Sequence, residues 1–243
     1  EILIGLVGSE MCIRDRFGTM YALCDFMMGY SWNIIWLDTV ALLPLVMLGV
    51  VRLVRTGSYR LYTVSLALAM LANFYIGFFV CIFTVIAYFC ICIFTGMGFK
   101  RLLTRSGKML AATILGLAIS SILLLPTYYA LQNTYSIHNT FPQHSTFYET
   151  WRDLLSQLLA YQIPTVKEGK PNLYCGVLCV VLVGMFLRAR SIRIREKVGA
   201  ILVLAFLLVS CNWNILNYLW HGCHFPNMLP YRFSCLLYTS PSP

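Results

Sequence analysis

From Leu61 to Thr95 the chain runs for 35 residues without one charged side chain, and a basic cluster stands at either end of the run. A membrane-spanning helix needs roughly 20 apolar residues, with a range of about 17–25. The run is therefore too long for one crossing and short for two. The segment Asn73-Phe-Tyr-Ile-Gly77 is its natural break, which predicts a short helix, a tight turn and a longer return. The rest of the chain agrees in character: 59% of residues are apolar and 11% charged, and mean hydropathy is +0.75. Soluble domains hold about 45–50% apolar and about 25% charged residues. A soluble fold of this size cannot hide so much apolar surface, so lipid covers part of it.

Three basic clusters set the expected topology: Arg52/Arg55/Arg60, Lys100/Arg101/Arg105/Lys108 and Arg188/Arg190/Arg193/Arg195/Lys197. Short loops rich in Lys and Arg stay on the cytoplasmic side. Loops 52–60, 100–108 and 188–197 are thus expected inside, with an even number of crossings between successive clusters. The apolar stretches 17–30, 38–53, 61–95, 109–126, 173–187 and 198–211 satisfy this. The expectation is an all-α polytopic protein of about six to seven membrane segments, in a bacterial plasma membrane. Segments 127–172 and 212–234 fall outside, and leucines 154, 155, 158 and 159 predict an amphipathic helix over 147–161.

The two ends read differently. Residues 1–16 match the translation of a sequencing-library adapter with its index and transposon end, and residues 235–243 match its reverse complement. Both stretches are expected to be adapter-encoded, which leaves 17–234 as one native, partial multi-pass membrane domain. Without Glu1, Glu10, Arg14, Asp15 and Arg16 the net charge is about +10 rather than +9. Twelve of the sixteen remaining basic residues lie in the three clusters, so the excess reflects topology and not nucleic-acid binding. Most cysteines fall within apolar runs as small hydrophobes, and no zinc-like pair occurs. Cys211 and Cys223 flank one outside segment and could pair, although the sequence favours free thiols.

Unusual residues concentrate in segment 212–234, which holds His221, His224 and Arg232 among aromatic and Asn residues. Arg and His there could hold a phosphate through charge-assisted hydrogen bonds. On residue types alone an aromatic belt with polar groups at headgroup level is the preferred reading. Pro226 and Pro230 predict non-helical backbone, which at membrane depth must be buried in protein or line a wet cavity. Among the acids, Asp25 lies in the first apolar stretch. Asp38 follows Trp36 at a helix start and reads as a solvated group or cap, and Glu168 between Lys167 and Lys170 as a loop charge. His138 and His144 have no partner that spacing identifies. No nucleotide loop, metal motif or Ser/His/Asp arrangement is present.

The strings Gly29-Tyr-Ser-Trp-Asn-Ile-Ile-Trp-Leu-Asp38, Asn73-Phe-Tyr-Ile-Gly77, Pro171-Asn-Leu-Tyr-Cys-Gly176 and His224-Phe-Pro-Asn-Met-Leu-Pro-Tyr-Arg-Phe-Ser234 together resemble the YfhO family of bacterial membrane proteins, across 17–234. The resemblance implies a GT-C-like fold with an external active site. It implies a donor, a polyprenyl-phosphate sugar, and an acceptor, a cell-wall polymer such as a teichoic acid. Membrane lipid is the remaining partner, and no cofactor beyond the donor is identifiable. By chemistry and position Arg232, helped by His224 or His221, is the choice for the lipid phosphate. In GT-C enzymes the catalytic acid usually lies in the first external loop, which would precede Phe17. Asp38 and Glu168 are at most supporting acids, and the chain by itself is expected to be inactive. Two rival readings stay open: a transporter or flippase of lipid-linked sugars, and a non-catalytic membrane assembly protein. A transporter should show inverted repeats and broken helices, and only the 73–77 break is visible.

Overall fold

The computed structural model describes residues 15–132, 141–159, 169–174, 177–226, 228 and 231–239. The first apolar stretch forms two pieces, α1 (15–22) and α2 (Asp25–Gly29), rather than one helix end. The break falls at Cys24, whose backbone is extended, and Asp25 N–H donates to Tyr174 O at 3.2 Å.

Helix α3 (Ile34–Thr56) has 23 residues, about 35 Å at 1.5 Å per residue. It ends at Gly57, whose left-handed φ of +81° lets its N–H reach Leu53 O at 3.0 Å. The Arg105 guanidinium lies where a Cβ at Gly57 would stand, and the left-handed φ is what disfavours a side chain there. Helix α4 (Arg60–Ala72) has 13 residues and is about 20 Å long, short of the roughly 30 Å bilayer core. Helix α5 (Phe74–Phe94) has 21 residues and is long enough.

The predicted break between α4 and α5 is a single residue. Asn73 is extended, and its Oδ1 accepts from Tyr75 N at 3.0 Å and Ile76 N at 2.9 Å. Those two amides would otherwise be orphaned at the helix start. Asn73→Ala is expected to cost about 1 kcal/mol, read as a lowered thermal midpoint in detergent. An unchanged midpoint would remove the cap from the account.

Helix α6 (Phe99–Leu131) has 33 residues and outruns the expected end at Pro126, which lies inside it. Membrane helices tolerate interior proline because neighbouring groups satisfy the freed backbone. Of the helix expected over 147–161, whose last two residues lie outside the described residues, the described part forms only α7 (Trp151–Ser156), capped by the Thr150 hydroxyl on Asp153 N–H. The residues before it are drawn into hydrogen bonds with a distant segment, described below. Helix α8 (Val177–Arg188) buries none of its side chains among the described residues, and α9 (Ile194–Asn212), α10 (Asn214–Trp220) and a 3-10 turn (Arg232–Thr239) follow.

The architecture is all-α. Among the described residues α3, α5 and α6 are long and apolar enough to cross a membrane, while α4 and α8 are apolar but shorter. Helices α3, α4 and α5 form the centre, with α6 against α4 and α9 against α5. Leu43, Val46, Tyr62, Leu66, Phe79 and Phe83 fill the interior. Lipid tails are as apolar as these side chains, so close packing and interhelical hydrogen bonds hold such helices together. Thr39 donates to Ala69 O and Ser120 to Ala67 O, each at 3.1 Å, and the Tyr62 and Thr113 hydroxyls lie 3.0 Å apart.

The basic clusters gather at one end of the bundle. Arg101 Nη2 donates to Arg55 O at 3.0 Å, and Arg105 lies against Gly57. Arg195 Nη1 comes within 4.0 Å of where a Cβ on Gly96 would stand. The candidate site lies at the opposite end.

Candidate functional site

A joint like that at Asn73 separates α9 from α10. Trp213 is extended, with φ −104° and ψ 121°. In extended backbone alternate side chains point the same way, so Asn212 and Asn214 both face residues 144–149. Asn212 Nδ2 donates to Glu149 O at 2.9 Å and its Oδ1 accepts from Glu149 N at 2.8 Å. Asn214 Nδ2 donates to His144 O at 2.8 Å and its Oδ1 accepts from Thr146 N at 3.1 Å. Trp213 Nε1 reaches Ser145 Oγ at 2.8 Å while its ring stacks on Phe147, centroids 6.3 Å apart. The two amides act as surrogate peptide groups, and this is why helix does not form before Thr150. Asn217 on α10 extends the clasp, donating to the Tyr148 hydroxyl at 3.2 Å.

The clasp holds α10, and α10 ends at His221, which is 1% exposed. His221 Nδ1 lies 2.7 Å from Asn217 O. A carbonyl oxygen can only accept, so the ring proton sits on Nδ1 and Nε2 carries a lone pair. That Nε2 is buried without a hydrogen-bond partner among the described residues. Burial above all, then the charge of Arg232 and the neighbouring His224, depresses the His221 pKa from 6.5 to about 3 against the opposing bond to Asn217. His221 therefore presents a neutral acceptor at physiological pH. The half-buried His224 is shifted down as well, first by burial and then by Arg232.

Arg232 supplies the positive charge. Its guanidinium carbon lies 4.8 Å from the Tyr75 ring centre and 5.0 Å from that of Trp36, within cation–π range of both. Nη2 donates to Met228 O at 2.9 Å, and Nε is buried with no partner among the described residues. No carboxylate pairs with it among those residues. Burial pulls its pKa below the usual arginine value, opposed by Tyr75 and Tyr30. The Tyr75 hydroxyl is likewise buried without a partner, and its ring is 6.1 Å from His221 and 6.0 Å from His224. Buried polar atoms are nearly always hydrogen-bonded, so Arg232 Nε, the Tyr75 hydroxyl and His221 Nε2 stand out as three unmet atoms in one neighbourhood.

Of the residues singled out from sequence, Arg232, His221 and His224 come together. Asp38 is exposed on α3, two positions beyond Trp36, and its side chain forms no hydrogen bond or ion pair among the described residues. Glu168 and His138 lie outside the described residues. His144 is exposed and contributes its carbonyl to the clasp, and Asp153 pairs with Lys170 at 2.7 Å. Cys211 is buried, Cys223 is exposed, and both are free thiols. Trp36, Tyr75 and Asn217 were not singled out as site residues. For Trp36 and Tyr75 the available signal was position: each lies within a turn of a helix start at this end.

The buried neutral His221 has a pH consequence. Its folded pKa lies below its unfolded value of 6.5, so below pH 6.5 the unfolded chain binds a proton that the folded chain refuses. Stability is thus present above about pH 6.5 and is lost as pH falls toward about 3, at up to about 1.4 kcal/mol per pH unit. Thermal midpoints at pH 7 and pH 5 should differ more for the wild type than for His221→Gln. Equal pH dependence in the two proteins would refute this.

Comparison with known proteins bears on the whole chain. The sequence profile of the family described as "Bacterial membrane protein YfhO" matches residues 16–240. No curated protein and no solved structure matches the chain. A match of that extent, on an all-α bundle whose longest helices are apolar enough to cross a bilayer, makes this chain a member of the YfhO family of bacterial membrane proteins.

Proposed function

We propose that the intact protein is a GT-C-like membrane glycosyltransferase. It takes a sugar from a polyprenyl-phosphate carrier and passes it to a cell-wall polymer on the extracytoplasmic side, with the basic clusters facing the cytoplasm. The observation that carries this is Arg232: a guanidinium without a carboxylate partner among the described residues, held between the faces of Trp36 and Tyr75 at the end away from the basic clusters. A lipid-linked phosphate is an anion delivered at headgroup level beside an apolar chain, and a planar cation between aromatic rings at such a depth suits it. Arg232 binds the phosphate in this reading. His221 Nε2, a lone-pair acceptor, faces a hydroxyl donor of the sugar and not the phosphate itself. His224 lines the same space. Asp38, exposed on α3 and two positions from the buried Trp36, is at most a supporting acid.

The test is sugar transfer from polyprenyl-phosphate donor to cell-wall polymer by membranes carrying the intact protein. Arg232→Ala at normal protein level is expected to lose transfer, and undiminished transfer overturns the assignment. If donor lipid still crosses the membrane in a protein that never transfers sugar, the flippase reading replaces this one.

A further inference from the structure

The basic end of the bundle carries a separate feature. Ile93 and Phe94 on the last turn of α5, with Ile194, Arg195 and Val198 on the first turns of α9, line an open groove of about 310 Å³. Its walls are apolar apart from Arg195. Ile93 and Ile194 are 66% and 71% exposed, so the trough opens outward. Gly199 permits its shape, because a Cβ there would fall 2.0 Å from the Phe94 ring, and the ring packs flush against α9 to form the floor.

The cations at this end of the bundle are not all equivalent. Lys197 Nζ is committed to Leu187 O at 2.8 Å, and Arg101 to Arg55 O at 3.0 Å. Arg195 and Arg193 are exposed and form no ion pair among the described residues, and Arg195 curls over the Gly96 turn beside the trough. Uncommitted positive charge thus sits at the mouth of an apolar groove, where apolar helices meet the basic loops.

We propose that this groove is a binding site for an anionic phospholipid, with an acyl chain in the trough and the phosphate on Arg195. Chain packing alone gives no preference in a bilayer, where every lipid offers the same tails. Charge provides the selection, because a basic residue near a membrane surface attracts anionic headgroups. A zwitterionic lipid would bring its own cation beside Arg195. The site is independent of the proposed sugar transfer and lies at the other end of the bundle.

The experiment is native mass spectrometry of the intact protein in detergent, titrated with phosphatidylglycerol or phosphatidylcholine. The wild type should retain phosphatidylglycerol in preference. Arg195→Gln, an exposed substitution, should lower its retention about fivefold and leave phosphatidylcholine unchanged. Val198→Trp, which fills the trough, should lower retention of both lipids. A wild type without preference, or an Arg195→Gln variant with the preference intact, overturns the proposal.

Discussion

Gly49→Leu is expected to prevent recovery of folded protein. An ideal Cβ at Gly49 would stand 2.6 Å from Tyr62 Cα and 2.7 Å from Tyr62 N, both backbone atoms. No rotamer change relieves such a contact, so α3 and α4 would have to separate. The interface they would open holds Leu43, Val46, Tyr62 and Leu66, all fully buried. Overpacking a well-filled core costs about 1–3 kcal/mol even when side chains can adjust, and here the obstacle cannot. The cost here is therefore expected above that range and comparable to a total stability of roughly 5–15 kcal/mol, which predicts aggregation instead of a monodisperse peak in detergent. Gly107→Ala is the control, since nothing lies within 4 Å of a Cβ there. It should be neutral, or stabilising by up to about 1 kcal/mol through helix propensity. A Gly49→Leu protein with a wild-type thermal midpoint would refute the α3–α4 packing.

Arg232→Ala is expected to reduce sugar transfer by about 10²–10³-fold, the usual result of removing one preorganised electrostatic group from a water-poor site. The variant removes the cation held between Trp36 and Tyr75, which the proposed reading sets against the donor phosphate. Arg232→Lys should recover only part of the activity, because an ammonium lacks the planar fork that stacks on rings and pairs two oxygens at once. Tyr75→Phe keeps the ring face and removes only the unpaired hydroxyl, so phosphate retention should survive it. Equal losses in the Arg232→Ala and Tyr75→Phe variants, at equal protein level, would refute the Arg232 charge as the deciding contact.

The break in the apolar run was legible because the obstacle is local. Asn73 stands where 35 uncharged residues exceed one crossing, and its short side chain caps the helix that follows. The helix expected over 147–161 failed for the opposite reason. Its leucine spacing is real, but residues 144–149 bond to Asn212 and Asn214, more than sixty positions away. Pro126 was read by its local effect on a backbone amide, and the helix carries it inside.

Hydropathy and charge belong to each residue wherever it sits, so the sequence by itself determined the all-α membrane character and the common end shared by the three basic clusters. It also singled out Arg232, His221 and His224, by type and by closeness along the chain. Only the tertiary structure decided what those residues present. The rings that hold Arg232 come from positions 36 and 75, and the His221 proton is placed by the carbonyl of Asn217 while Nε2 is left open. Charge state, tautomer and stacking are set by the groups a side chain meets, and here those groups come from α3, α5 and α10 folded onto one end.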